Sequence, residues 1–283
     1  MSRLFFAVTL LVAGALAACT AAPDDGVGAH TEAQTGSLGI LAIERASGGT
    51  ETSPASLGAA FARYQGVDGE TVARFLGAGS ESASESCVLR TNDADALVAS
   101  NASVELLDVG AISVRAGGTV SRLPPRAFPE LARVAGGFFY ADEAVVPAAA
   151  SDGGEYVFST EGSTDVASFE VVAPGPPDVA DVRVDGALPD GVVRSQGTEV
   201  TWAASDPRDE LEIEVQTTTG TLVCRANDDG AFHISASALT SVGADADARL
   251  VVRRIRTTPF DAPGLDEAYV RIASSSQYAL VVR

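Results

Sequence analysis

The sequence predicts an all-β protein made of antiparallel sandwiches, and three observations lead to this prediction. Residues 211–216 alternate strictly between apolar and polar side chains, which is the pattern of a half-buried strand. Similar short runs recur along the chain, separated by Gly, Asp, Asn, Ser and Pro. Helical patterns are few. Short strands with turn residues between them are typical of immunoglobulin-like sandwiches.

The remaining elements follow from the same periodicity. The other predicted strands are 38–43, 87–90, 104–107, 111–115, 119–123, 155–159, 168–172, 199–203, 232–234, 250–255, 268–273 and 278–282. Four polar residues, 274–277, join the last two, which predicts a hairpin. Helices are predicted at 55–64, after Ser53-Pro54, and at 235–242. The pattern of residues 126–134 is ambiguous between a helix and a strand.

The N-terminus has the layout of a secretory signal. Met1-Ser2-Arg3 carries one positive charge, and residues 4–18 are uncharged and end in small residues. Leu16-Ala17-Ala18-Cys19 resembles the lipobox of bacterial lipoproteins, which implies that Cys19 becomes the first mature residue and is acylated. The alternative is an ordinary signal peptide with a cysteine near its cleavage site. In lipoproteins, Thr rather than Asp at position 20 favours the outer membrane over the inner membrane.

The predicted organisation has four parts. Residues 1–18 are a lipoprotein signal peptide, and 19–36 are a lipidated tether too poor in apolar residues to fold. Residues 37–173 form an N-terminal β-rich domain, and 178–283 form a C-terminal immunoglobulin-like sandwich. The boundary is the run Pro174-Gly175-Pro176-Pro177, since proline cannot donate to a strand ladder.

Charge restricts the partners. The formal net charge is −19, and all 19 basic residues are arginine. This acidity argues against nucleic acid as a partner. The predicted partners are the lipid bilayer, through acylated Cys19, and a protein of the cell envelope. The arginines of 249–256 are expected on a solvated strand face, paired with acidic neighbours; they are Arg249, Arg253, Arg254 and Arg256.

The sequence contains three cysteines, and the state of two of them is undecided. With Cys19 acylated, Cys87 and Cys224 remain in an oxidising compartment. They form either a disulfide or two buried free thiols, because the sequence does not show whether their Cα atoms lie within about 7 Å.

No catalytic constellation is recognisable, and no catalytic residue and no cofactor are predicted. The two histidines are His30, in the tether, and His233, expected on the surface of a strand. Motifs of nucleotide, zinc and serine-hydrolase sites are missing from the sequence. The single tryptophan, Trp202, alternates with Val200 and is expected in the core. Abundant carboxylates keep one alternative open, a lipid-anchored hydrolase that uses paired carboxylates as glycosidases do.

Two acidic turns are candidates for calcium. Asp228 and Asp229 precede a glycine, and Asp245 and Asp247 flank an alanine. Neither turn matches an EF-hand, and Asp-Gly is also an ordinary hairpin signal. No metal site is therefore predicted, and these four aspartates are named only as calcium candidates.

A second resemblance concerns the folded part. The runs that carry it are 107–114, 154–158, 166–171, 200–202 and 224–232. In this order they look like a group of predicted envelope lipoproteins of unknown function, over roughly residues 85–260. The resemblance implies a β-rich exported domain pair and no particular reaction. The sequence therefore predicts a membrane-anchored envelope lipoprotein with a non-catalytic binding, adhesion or scaffolding role.

Overall fold

The computed structural model of this chain describes residues 35–47, 55–77, 84–90, 102–131, 135–144 and 154–283. The predicted signal peptide, Cys19, His30 and nearly all of the predicted tether lie outside these residues. Within them the chain forms 18 strands and two short helices. In chain order these are β1 (Thr35–Ala46), β2 (Ala55–Gln65), α1 (Gly69–Phe75), β3 (Ser86–Leu89), β4 (Ser103–Leu106), β5 (Ile112–Ala116), β6 (Thr119–Leu123), β7 (Pro125–Leu131), β8 (Ala135–Ala144), β9 (Glu155–Thr160), β10 (Glu170–Pro174), β11 (Arg183–Val184), β12 (Gly191–Val192), β13 (Thr198–Thr201), β14 (Glu210–Thr217), β15 (Gly220–Asn227), β16 (Ala231–Ile234), α2 (Ala236–Thr240), β17 (Asp245–Pro259) and β18 (Glu267–Val282).

The all-β prediction is confirmed, and most neighbouring strands are antiparallel. The large sheet has 11 strands, with the path β3-β15-β14-β17-β18-β1-β2-β4-β8-β7 and β12 beside β18. A four-stranded sheet has the order β10-β9-β5-β6, and a three-stranded sheet has the order β11-β13-β16. Three pairs in the large sheet are parallel: β1 with β18, β12 with β18, and β4 with β8. The immunoglobulin-like type and the division into two domains stay predictions.

Two hydrophobic cores lie on one face of the large sheet. The first combines residues of the large sheet, such as Phe61 and Val270, with Phe158 of the four-stranded sheet. The second combines Ile213 of the large sheet with Trp202 of the segment that follows β13. Each core therefore joins the large sheet to a smaller sheet, as in a β-sandwich.

The predicted boundary at residues 174–177 separates these cores but not the sheets. Ala173 belongs to the first core, and Val179 belongs to the second. Strand β18 crosses this division, since Ile272 packs in the first core and Leu280 packs in the second. One continuous sheet thus supports both cores.

The predicted hairpin at 274–277 is wrong, because β18 continues through these residues as a single strand. Ser274 and Ser275 pair with Arg254 and Arg253 of β17, and Ser274 is completely buried. This polar stretch lies where β18 passes from one core to the other. The Ser274 hydroxyl donates to Asp178 at 3.0 Å and the Ser275 hydroxyl donates to the backbone carbonyl of Arg45 at 3.3 Å, so the serines serve buried hydrogen bonds and do not mark a turn.

The predicted helix at 55–64 is also wrong, because this segment is β2. Its alanines favour a helix intrinsically, but β2 is paired on both sides, with β1 and with β4 and β8. Leu57 and Phe61 enter the first core, while Ala62 enters a third core on the opposite face. Burial on both faces overrides the local propensity. The ambiguous segment 126–134 contributes to strand β7.

Helix α1 was not predicted, whereas α2 lies within the predicted helix 235–242. Asp68 caps α1 by accepting a hydrogen bond from the backbone of Thr71 at 2.8 Å. Val72 and Ala73 of α1 pack on Leu38 and Ile40 of β1 in the third core. In the described part of the chain, no helix has the length and apolar character needed to span a membrane.

Candidate functional site

The candidate site lies on the face of the large sheet that faces away from the first two cores, called here the outer face. Strand alternation places its charges there. Leu211, Ile213 and Val215 of β14 are buried in the second core. Glu210, Glu212 and Glu214, at the intervening positions, therefore lie on the outer face.

The glutamates of β14 bind arginines from neighbouring strands. Arg253 of β17 contacts Glu214 at 2.7 Å, Glu212 at 3.1 Å and Glu44 of β1 at 2.9 Å. Arg90, which follows β3, contacts Glu214 at 2.6 Å from the other side. One guanidinium thus joins carboxylates from β14 and β1, the strands on either side of β17 and β18.

Two further ion pairs extend this arrangement. The Arg271 guanidinium of β18 donates to Glu212 at 3.2 Å, and Arg225 Nε of β15 donates to Glu210 at 3.0 Å. We call the whole set the outer ladder; it consists of Glu44, Arg90, Glu210, Glu212, Glu214, Arg225, Arg253 and Arg271. Its members come from strands β1, β14, β15, β17 and β18 and from Arg90 after β3, so its geometry depends on the order of the sheet.

A groove of about 250 Å³ runs between the outer ladder and α1. Its apolar lining includes Leu38 and Ile255, which are 2% and 4% exposed, and Ala73 of α1. Its charged and polar lining comprises Glu70, Glu210, Glu212, Glu267, Arg225, Arg271, Thr257 and Tyr269. The groove therefore combines an apolar base with a rim that carries four carboxylates and two guanidinium groups.

Two tyrosines near the groove, Tyr64 and Tyr269, have raised pKa values. Burial raises the pKa of Tyr269 to about 12, against the opposing effect of Arg271 and with a contribution from Glu267. Burial also raises the pKa of Tyr64, and the negative charges of Glu267, Asp266 and Asp68 raise it further. Burial is the main cause of both shifts, because it disfavours the charged phenolate.

Glu214 is the most deeply buried carboxylate of the outer ladder, with its side chain 2% exposed. Its burial alone would raise the pKa of the carboxyl group, but Arg253 and Arg90 outweigh this effect. The pKa of Glu214 therefore lies below its ordinary value of 4.5.

The lowered pKa of Glu214 makes stability depend on pH. A carboxyl whose pKa is lower in the folded than in the unfolded chain stabilises the fold above its unfolded pKa. That stabilisation is lost as the pH falls below about 4.5 and through the folded pKa. We expect Glu214→Gln to be less stable than the unmodified chain at pH 7, and the difference to shrink towards pH 3.

Urea denaturation at several pH values measures this difference. The matched control is Glu105→Gln, which removes an exposed glutamate paired with Arg63 at 3.3 Å. A stability difference for Glu214→Gln that stays constant from pH 7 to pH 3 would contradict the assignment.

The remaining predicted site residues lie elsewhere in the fold. Cys87 and Cys224 are directly opposite each other on β3 and β15 and form a disulfide, with their Cα atoms 4.0 Å apart. His233 is exposed, as its position on β16 suggested. Trp202 is buried in the second core, as predicted, and its Nε1 donates to Asp228 at 2.8 Å.

The four calcium candidates do not converge. Asp228 is buried and accepts hydrogen bonds from Trp202 and from the backbone of Ser205. Asp245 accepts from the backbone of Thr218 and of Asp247, so it closes a turn. Asp229 and Asp247 are exposed. Among the described residues, no group of three or more potential ligands is arranged to hold a metal ion.

The expectation of a solvated arginine face is wrong for two of its four members. Arg254 is 1% exposed and pairs with Asp228 at 3.0 Å, and Arg256 is also buried and pairs with Asp209 at 2.6 Å. Both belong to a buried polar layer between the two cores. Arg253 lies on the outer face with its acidic partners, and Arg249 is exposed.

Asp209 and Glu214 are both buried beside arginines, but their pKa values shift in opposite directions. The pKa of Asp209 is raised because burial outweighs the nearby Arg256 guanidinium. The ionised form of Asp209 is therefore less favoured than that of an aspartate in water, although the Arg256 guanidinium pairs with it.

Sequence reasoning recognised the acidic face of β14 but not the groove. The alternation of residues 211–216 showed that glutamates share one face. Their partners Arg253 and Arg271 lie 41 and 59 positions away from Glu212, on strands whose order the sequence does not reveal. Helix α1, which forms one wall of the groove, was not predicted.

No family model matches this chain, and no curated protein matches it.

Proposed function

We propose that this chain is a lipid-anchored protein of the cell envelope with a non-catalytic binding role, and that the groove beside the outer ladder is its binding site. The observation that supports a binding role is the pairing of the groove glutamates. Glu210 is bound by Arg225, and Glu212 is bound by both Arg253 and Arg271. These contacts hold the paired side chains in place at the groove before a partner binds, which lowers the cost of ordering them on binding.

The same pairing argues against Glu210 and Glu212 as the two acting carboxylates of a hydrolase, which is the alternative function. In such enzymes one carboxyl donates a proton and the other attacks or activates water, so both must face the substrate. Glu210 and Glu212 are the two neighbouring carboxylates on β14 that line the groove. Arginines from other strands bind Oε2 of Glu210 and both carboxylate oxygens of Glu212, so a role in holding the shape and charge of the groove fits these two residues better.

Lipid anchoring at Cys19 completes the proposal. The predicted tether between Cys19 and the folded part has a reach of about 20–25 Å as a flexible chain. Because the chain has a net charge of −19, anionic headgroups would repel it, and acyl chains would have to hold it at the membrane.

Metabolic labelling with palmitate tests the anchor. We expect Cys19→Ser to abolish incorporation completely, because the thiol of Cys19 is the proposed acylation site. The matched control replaces both Cys87 and Cys224 by serine and should keep the label. Persistent labelling of Cys19→Ser, or no labelling of the unmodified chain, would refute lipidation at this residue.

A further inference from the structure

The groove contains negative charge that the outer ladder does not neutralise. Its two arginines, Arg225 and Arg271, are already bound to Glu210 and Glu212. Glu267 is exposed at the rim and forms no ion pair with any residue that the structure describes. Glu70 is also largely exposed, and its contact with Arg74 is a long 3.8 Å.

These two carboxylates lie at the end of the groove formed by α1. A Cβ atom placed on Gly69, the first residue of α1, would be 4.0 Å from Oε2 of Glu267. The side chain of Glu267 therefore reaches the start of the helix, where Glu70 is the next residue. Glycine at position 69 keeps this end of the groove open beside Tyr64.

The shape of the groove suits one long side chain. Its volume of about 250 Å³ lies just below the range of about 300–1,000 Å³ that is typical of drug-sized ligands. Leu38, Ile255 and Tyr269 offer an apolar and aromatic lining that an aliphatic stem can cover. Lysine and arginine combine such a stem with a cationic head that remains near water.

We propose that the groove binds a lysine or arginine side chain presented by a partner protein, with the cationic head between Glu267 and Glu70. This inference rests on the proposed binding function and adds the chemistry of the ligand. The stem would pack on Ile255 and Tyr269. The overall charge of −19 would attract basic segments to the protein surface before docking.

Isothermal titration of the full chain in detergent with a blocked peptide tests the proposal. The probe is acetyl-Ala-Ala-Arg-Ala-Ala-amide, with the same peptide carrying lysine and the same peptide carrying glutamine as comparisons. We expect the arginine and lysine peptides to bind and the glutamine peptide to bind at least tenfold more weakly, because it lacks the charge.

Two charge-matched variants separate the groove from the general acidity of the chain. Glu267→Gln should weaken binding of the arginine peptide about tenfold. Glu170→Gln removes one negative charge from an exposed position on the four-stranded sheet and should leave binding unchanged. Circular dichroism of both variants checks that the fold is intact.

Three results would overturn the proposal: no binding of either basic peptide, equal binding of the glutamine peptide, or equal losses in Glu267→Gln and Glu170→Gln. Propylamine is added as a further probe, and binding as tight as that of the peptides would instead indicate a small amine ligand. If a partner crosslinks to the groove in cells but neither basic peptide binds, only the proposal of a cationic ligand is refuted. If no partner crosslinks and no basic peptide binds, the proposed binding function itself is refuted.

Discussion

Replacing Asp228 with alanine is expected to lower the free energy of unfolding by about 3–5 kcal/mol. The carboxylate of Asp228 is completely buried and pairs with Arg254, whose side chain is 2% exposed. It also accepts hydrogen bonds from Nε1 of Trp202 and from the backbone of Ser205. The variant would leave a buried guanidinium without its counter-charge, and it would leave three donors, including the backbone of Asp206, without this acceptor.

Urea denaturation followed by circular dichroism measures this loss. The control is Asp229→Ala, which changes the adjacent, exposed aspartate. It should shift the free energy of unfolding by no more than about 0.5 kcal/mol. Similar losses in both variants would show that the buried layer between the two cores is not held by Asp228.

Removing the disulfide between Cys87 and Cys224 should cost the fold up to about 4–5 kcal/mol. The two cysteines are 137 positions apart, so the bond closes a long loop in the unfolded chain. It also attaches β3, a strand of only four residues, to the edge of the large sheet. Arg90, which follows β3, would then lose its fixed position beside Glu214.

The experiment compares the unmodified chain with the variant in which both cysteines are serine, each with and without dithiothreitol. We expect the reductant to lower the denaturation midpoint of the unmodified chain and to leave that of the variant unchanged. Cys19→Ser is the control that keeps the bond and should respond like the unmodified chain. A variant as stable as the oxidised protein would contradict the stabilising role.

Local patterns in the sequence were sufficient for most strands but not for the segments between the two cores. The alternation around Ile213 identifies β14 because one of its faces is buried and the other is charged. Ser274 and Ser275 resembled a turn because they are polar. Their partners explain their polarity: Ser274 bonds to Asp178 and Ser275 to the backbone of Arg45, which lie 96 and 230 positions away.

The candidate site was predictable only in part for the same reason. The acidic face of β14 follows from residues 211–216, but the groove also needs β17, β18 and α1 beside it. The parallel pairing of β18 with β1 brings the N-terminal strand and α1 to this face. A parallel pair between the first and last strands of the fold has no local signal in the sequence.

The central claim, that the groove is a binding site for an envelope protein, is tested most directly by photo-crosslinking in intact cells. A photoreactive residue replaces Thr257, which is exposed and lines the groove. The control carries it at Thr119, an exposed position of β6 in the four-stranded sheet. We predict a crosslinked protein at position 257 and not at 119, attached through a segment that contains lysine or arginine, and much less abundant in Glu267→Gln. No crosslink at 257, or the same products from both positions, would contradict the claim.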